Sequence, residues 1–132
     1  MQEINVFITG GKIQVSDDPV AIHSGQPVVW HFHNCETDTV TWAEVVFGDA
    51  KASMFKDRGA AGTGGVPSVS RGADVGKGNG LVMGTAPELG VPAGRPGVAQ
   101  AFKYDVKAYD KNPRFGGVEK YKLDPQIIVE DP

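Results

Sequence analysis

Valine and isoleucine dominate the aliphatic residues of this chain. The sequence contains 17 Val and 6 Ile against 3 Leu, and β-branched side chains fit a pleated sheet better than a helix. The chain of 132 residues also carries 18 Gly and 9 Pro, which supply turns between short strands. These features predict one all-β domain that spans residues 1–132.

Short apolar runs end regularly at turn-forming residues, which is the pattern of a β-sandwich or barrel. The run Gln100–Tyr109 shows the alternation most clearly, because Phe102, Tyr104 and Val106 share one face and charged residues occupy the other. The predicted strands are Ile4–Ile8, Lys12–Val15, Val20–His23, Val28–His33, Thr39–Phe47, Gln100–Tyr109 and Pro125–Glu130.

Residues 59–98 differ from the rest of the chain. They hold 12 of the 18 glycines and four of the nine prolines, and ordering such a segment costs much conformational entropy. We therefore predict that 59–98 is a long Gly/Pro-rich insertion loop within the domain. The preceding segment, Asp49 to Arg58, is predicted to form one or two helical turns.

The charges are unevenly distributed along the chain. Residues 1–50 contain one base and seven acids, whereas residues 51–132 contain twelve bases and nine acids. Opposite charges on paired strands of one sandwich explain this distribution most simply, and it also favours a head-to-tail contact between copies. The bases are scattered singly among acids, so we expect no nucleic-acid binding.

The sequence predicts a soluble protein without a membrane span, because no apolar run approaches the roughly 18 residues that a membrane helix needs. The first residues show no positively charged segment followed by an apolar one, so no signal peptide is visible. The compartment stays open, and a periplasmic or secreted location fits if a leader has been removed. Cys35 is the only cysteine, which excludes an internal disulfide.

Four segments in the opening third of the chain form a recognisable pattern. They are Ile13-Gln14-Val15, Val20-Ala21-Ile22, Gly25-Gln26-Pro27-Val28-Val29-Trp30 and Phe32-His33-Asn34. A strand that rises from a Gly-x-x-Val turn, carries an aromatic residue and ends at Asn resembles the cupredoxins, the Greek-key sandwiches of blue-copper proteins. The resemblance covers residues 4–47 and, more weakly, 102–129, and it implies a Greek-key β-sandwich of cupredoxin type.

The copper ligands of that family are absent from the corresponding positions. Asp38-Thr39-Val40-Thr41 stands where the family places its first histidine, and the strand Phe102–Val106 is followed by no Cys, His or Met. A blue-copper centre requires a thiolate and two imidazoles around the metal. The sequence therefore predicts a cupredoxin-like domain without type 1 copper.

His31, His33 and Cys35 form the one metal-like pattern in the sequence, because residues two apart share a face of a continuous strand. Imidazole and thiolate are good ligands for copper or zinc. In the alternative interpretation, the histidines form the polar outer face of an antiparallel sheet. The candidates for a further ligand are His23, Asp38 and Glu36.

No pattern for phosphate binding or catalysis is complete. Gly72-Ala73-Asp74-Val75-Gly76-Lys77 has three residues between its glycines instead of four, and Gly78 replaces the hydroxyl residue that would hold magnesium. The serines lack the context of a nucleophile elbow. We therefore expect a protein that is not an enzyme.

Two functions follow as hypotheses. The first is a non-catalytic cupredoxin-like binding or assembly module without a cofactor, whose partner is an unidentified protein or a second copy of the chain. Loops on a rigid sandwich would carry the binding. The alternative is a copper- or zinc-binding protein that uses His31, His33 and Cys35.

Overall fold

The computed structural model describes residues 1–48, 54–58, 65–87 and 99–130. Within these residues the regular structure is β, apart from a 3₁₀ turn at Pro113–Phe115, and no helix could cross a membrane. The predicted all-β class is confirmed. The strands are β1 (Gln2–Thr9), β2 (Lys12–Val15), β3 (Val20–His23), β4 (Pro27–Asn34), β5 (Trp42–Phe47), β6 (Phe55–Arg58), β7 (Gly65–Ser68), β8 (Ser70–Asp74), β9 (Asn79–Thr85), β10 (Ala99–Tyr109), β11 (Glu119–Leu123) and β12 (Gln126–Glu130).

The strands form two main sheets that share one core. The first sheet has the order β2-β1-β4-β9, and the second has the order β3-β12-β10-β5-β8, with β11 also paired to β10. Strands β1 and β4 run parallel, as do β3 and β12. Consecutive strands change sheet repeatedly, as in Greek-key sandwiches.

The core lies between the inward faces of the sheets. Alternate residues point inward, so that Ile4, Val6 and Ile8 of β1 are fully buried. An aromatic cluster fills one end of the core, with ring centroids 5.5 to 6.3 Å apart. Its members are Trp30, Phe47, Phe55 and Tyr104.

The predicted insertion loop over 59–98 is wrong for its described part, because residues 65–87 contain β7, β8 and β9. The glycines fit strands here because other groups approach their backbones closely. A Cβ on Gly72 would lie 2.5 Å from Trp42 Nε1, and one on Gly84 would lie 2.9 Å from the Met54 carbonyl oxygen. Residues 59–64 and 88–98 lie outside the described residues.

The helical turns predicted for 49–58 are also wrong where the structure describes them. Phe55–Arg58 forms β6 and pairs antiparallel with β7, while residues 49–53 lie outside the described part. The Phe55 side chain is fully buried in the aromatic cluster. Tertiary packing therefore overrides the local helix preference.

Candidate functional site

Strand β4 carries the predicted metal pattern, and the predicted alternation of its side chains is confirmed. Its inward residues Trp30 and Phe32 are buried. His31 and His33 point outward from the first sheet, and Cys35 is exposed directly after the strand. The histidines therefore belong to the outer face of the first sheet.

Each histidine has a polar neighbour on β1. His31 Nε2 lies 3.4 Å from Glu3 Oε1, and His33 Nε2 lies 2.9 Å from Asn5 Oδ1. The His33 ring also stacks on Phe7, with the ring centroids 4.9 Å apart. These contacts follow from the parallel register of β1 and β4, which sets Phe7 directly beside His33.

The predicted further ligands do not join the histidines on this face. His23 lies on β3 in the second sheet, Asp38 is exposed in the β4–β5 loop, and the Glu36 carboxylate accepts two other hydrogen bonds. Across the described ranges, no group of three or more His, Cys, Asp or Glu side chains could hold a metal ion. Metal binding by His31, His33 and Cys35 stays a prediction.

Each histidine has one large apolar side chain beside it on this face, Leu81 for His31 and Phe7 for His33. The antiparallel register of β4 and β9 places Leu81 beside His31, with Met83 two residues further along the same face. Phe7, Leu81 and Met83 are 39%, 55% and 51% exposed. We call Phe7, His31, His33, Leu81 and Met83 the outer-face patch. Exposed apolar side chains grouped in this way are typical of interaction surfaces.

A shallow groove of about 590 Å³ adjoins the patch at Phe7. It runs along β2, past Ile13 and Val15, and reaches Leu123 on β11. The groove extends the accessible apolar surface from the face of the first sheet to its β2 edge.

Four connections meet at the opposite end of the sandwich from the aromatic cluster, and we call them the loop end. They are the β1–β2 turn and residues 35–41, 75–78 and 110–118. Asn34 ties two of them together, because its side-chain amide donates to the carbonyl oxygens of Val40 (2.8 Å) and Val75 (3.0 Å). The Asn34 side-chain oxygen accepts a hydrogen bond from the Glu36 backbone N–H at 2.9 Å.

Glu36 links two further elements at the loop end. Its carboxylate accepts hydrogen bonds from the Gly11 N–H at 3.0 Å and from the Tyr121 hydroxyl at 2.8 Å. The hydrogen bond to the Glu36 carboxylate raises the pKa of the Tyr121 hydroxyl. The candidate ligand Glu36 therefore acts as a structural bridge between the β1–β2 turn and β11.

The loop end is where the sequence resemblance would place a copper centre. Its buried interior is occupied by Asn34, Val40 and Val75. The residues of its four connections offer one thiol, Cys35, and no imidazole. A blue-copper centre needs a thiolate with two imidazoles, so these residues do not fit one.

Sequence reasoning missed the apolar members of the outer-face patch. Leu81-Val82-Met83 alternates as a strand does, with Val82 buried and its neighbours exposed, but the surrounding glycines led to a loop prediction. The sequence predicts that Phe7 lies in a strand, but the pairing of Phe7 with His33 depends on a register that the sequence does not contain.

No family model and no curated protein match the chain. Among solved structures it is similar to auracyanin A, a blue copper protein from Chloroflexus aurantiacus, with 14% identity, a TM-score of 0.43 and coverage of 97% of this chain and 98% of that one. An oxidised mutant of amicyanin has 19% identity, a TM-score of 0.40 and coverage of 96% and 81%. The copper nitrite reductase of Nitrosomonas europaea has 13% identity and a TM-score of 0.43, and the chain covers 41% of its length. The sequence resemblance to blue-copper proteins thus has a counterpart among the solved structures to which the chain is similar.

Proposed function

We propose that the protein is a non-catalytic binding module and that the outer-face patch binds a protein partner. One observation carries this proposal. Three large apolar side chains, Phe7, Leu81 and Met83, are exposed together on one face of the first sheet. Side chains of this size, grouped and exposed to water, gain free energy when a partner covers them.

The patch is held rigidly by the sheet. Strand β1 pairs with β2 and β4, and strand β4 pairs with β1 and β9. Their inward residues are buried in the core, which fixes the outward side chains at the spacing of the pleat. A preorganised surface loses little conformational entropy on binding, so more of the contact energy appears as affinity.

The residue types of the patch suit a protein partner. The two histidines lie on the middle strand β4, with Leu81 and Met83 on β9 at one side and Phe7 on β1 at the other, and Glu3, Asn5 and Asn79 share the face with them. Aromatic residues and methionine are enriched in protein interfaces.

Site-specific photo-crosslinking tests the proposal. We would replace Leu81 by p-benzoylphenylalanine and irradiate cells that express the protein. The matched control carries the same replacement at Lys103, which is exposed on the outer face of the second sheet. We expect a discrete adduct from position 81 that disappears when Met83→Asp is added, and no such adduct from position 103. Equal labelling from both positions would contradict the proposal.

A second candidate function is the binding of copper or zinc by His31, His33 and Cys35. It is favoured by two imidazoles that share the outer face of β4 and by an exposed thiol directly after the strand. Elemental mass spectrometry on untagged protein after copper or zinc loading tests it. Near-stoichiometric metal that is lost in the His31→Ala/His33→Ala variant would support this function, and metal content unchanged in the variant would contradict it.

A further inference from the structure

Strand β2 forms one edge of the first sheet, and among the described strands it pairs only with β1. The two strands form a hairpin through a two-residue turn, in which Gly10 and Gly11 adopt φ angles of 63° and 75°. A turn with two left-handed residues matches the twist of a hairpin and fixes its register. β2 is therefore an ordered strand before anything binds to it.

The hydrogen bonds of this hairpin show which backbone groups of β2 face away from β1. The Ser16 N–H donates to the Asn5 carbonyl oxygen at 2.9 Å, and the backbone groups of an antiparallel strand alternate between its two edges. Gln14 therefore also bonds to β1, whereas the N–H and C=O groups of Ile13 and Val15 point to the free edge. No residue in the described ranges bonds to these outward groups.

The edges of β9 and β3 are protected in a way that the β2 edge is not. On β9, the Met83 carbonyl oxygen accepts a hydrogen bond from Arg71 Nη1 at 3.0 Å. On β3, the His23 N–H donates to Gln26 Oε1 at 3.0 Å. Side chains that cover outward backbone groups are one means by which proteins prevent pairing with a further strand. In the described part of the chain, β2 lacks such a cover.

The space beside β2 is open to an incoming strand. The groove of about 590 Å³ follows all four residues of β2 and is bordered by Phe7 and Leu123. The segment Ile13-Gln14-Val15 contains no charge and no proline, and its register with β1 is regular. Charges, prolines and bulges are the other features that protect an edge strand from pairing. The β2 edge is thus accessible and unprotected.

We propose that β2 pairs with the β2 strand of a second copy of this chain, antiparallel and about a two-fold axis at Gln14. In this register Ile13 of each copy lies opposite Val15 of the other. Each such pair exchanges two hydrogen bonds between N–H and C=O groups. These bonds satisfy every outward group of Ile13 and Val15 in both copies.

A second copy is the occupant because this edge is its own complement. Ile13 and Val15 are placed symmetrically about Gln14, so the same strand in the reverse direction matches each donor with an acceptor. Two Gln14 amides, each a donor and an acceptor, would face each other at the axis, and Lys12 would lie opposite Ser16, which opposes no like charges. A flexible peptide must be ordered on binding, whereas β2 is already held in its hairpin.

The pairing closes at two copies, because an isologous contact uses the β2 edge of both. It joins the two four-stranded sheets into one sheet of eight strands. Residues directly opposite each other in an antiparallel pair share a face, so the outer-face patches of both copies lie on the same side of this sheet. Two patches on one face increase the avidity for a partner that also has two copies.

Sedimentation velocity over a series of protein concentrations tests the interface. We expect a monomer–dimer equilibrium that Val15→Pro weakens by about tenfold or more, because proline removes an outward N–H and its ring blocks the approach of a strand. The matched control is Ala21→Pro at the exposed β3 edge, which should leave the equilibrium unchanged. A monomer at every concentration would overturn the proposal, as would a dimer that Val15→Pro does not weaken.

A pair of charge variants tests the two-fold axis without altering the backbone. Gln14 is exposed, so Gln14→Glu and Gln14→Lys should both fold, as circular dichroism checks. Each variant alone should dimerise at least about tenfold more weakly, because like charges meet at the axis, and an equimolar mixture should recover dimers. The same two changes at the exposed Gln100 are the control and should have no effect. Failure of the mixture to associate would overturn the proposed axis.

The remaining occupant is an extended peptide, and it gives a different result. A synthetic peptide of residues 12–16 should bind only weakly, by competition with the dimer. A protein that is monomeric at every concentration and binds this peptide would identify an edge for foreign strands and refute the dimer. None of these outcomes depends on the outer-face patch, since Met83→Asp should leave the dimer unchanged while it removes the crosslink from position 81.

Discussion

Trp30 and Tyr104 are joined across the core, where the indole Nε1–H of Trp30 donates to the Tyr104 hydroxyl at 3.3 Å. The two rings also pack edge to face, with centroids 5.8 Å apart. One residue comes from each main sheet, so this contact locks the two layers of the sandwich together at the aromatic cluster.

Removal of the Tyr104 hydroxyl should destabilise the fold. Tyr104→Phe leaves the Trp30 N–H buried without its acceptor, which costs about 1 to 3 kcal/mol. Urea unfolding followed by tryptophan fluorescence measures the change. The matched control is Tyr121→Phe, where Glu36 keeps its bond from the Gly11 N–H, and the loss should be smaller. A larger loss of unfolding free energy in Tyr121→Phe than in Tyr104→Phe would contradict the stabilising role of the hydrogen bond between Trp30 and Tyr104.

Stability should fall at high pH. Burial raises the pKa of Tyr104 to about 12, whereas an unfolded tyrosine titrates near pH 10. Above about pH 10 the unfolded state releases a proton that the folded state keeps, so the free energy of unfolding decreases as pH rises. Tyr109, whose pKa burial also raises to about 12, contributes in the same direction.

Urea unfolding at a series of pH values checks this dependence. The decrease above about pH 10 should be shallower in Tyr104→Phe, because one of the tyrosines with a raised pKa has been removed. An identical slope in both proteins would show that Tyr104 does not contribute.

Asn34 should be the most sensitive polar residue of the loop end. It is 5% exposed, and its side chain makes three hydrogen bonds to backbone groups. Asn34→Ala leaves these groups unpaired, and we expect a loss of about 2 to 4 kcal/mol in the free energy of unfolding. Asn79→Ala, at an exposed position, should change it by no more than about 0.5 kcal/mol. Equal effects in chemical denaturation would refute the structural role of Asn34.

Gly72 should not tolerate a side chain. A Cβ there would lie 2.5 Å from Trp42 Nε1, so Gly72→Ala must displace the indole, at a cost of about 1 to 3 kcal/mol. Gly48→Ala is the matched control, because a Cβ at Gly48 meets no atom within 4 Å. Thermal unfolding and the tryptophan emission maximum check both variants. An unchanged emission maximum in Gly72→Ala would contradict the close packing of Trp42 on this strand.

The strands with regular alternation could be predicted from the sequence, and the glycine-rich strands could not. Apolar runs and flanking turns predict strands at Val20–His23 and Pro125–Glu130, which correspond to β3 and β12. β8 contains Gly72 because Trp42 covers it. The need for glycine at position 72 comes from the contact with Trp42, which lies 30 positions earlier in the sequence. The glycine-rich composition alone therefore predicts a loop.

The outer-face patch illustrates a second limit. The period of β4 predicts that His31 and His33 share a face, and the structure confirms it. Leu81 and Phe7 reach the same face only through the pairings of β9 and β1 with β4. Register between distant strands is set by packing of the whole core, and a single sequence does not state it.

The binding role of the outer-face patch is tested most directly by the affinity of the partner identified through position 81. Isothermal titration would compare the unmodified protein with Met83→Asp in the patch and with Lys103→Asp on the opposite sheet. We predict that Met83→Asp weakens binding by about tenfold or more, while Lys103→Asp leaves it unchanged. Equal affinities of all three proteins would contradict the assignment of binding to this face.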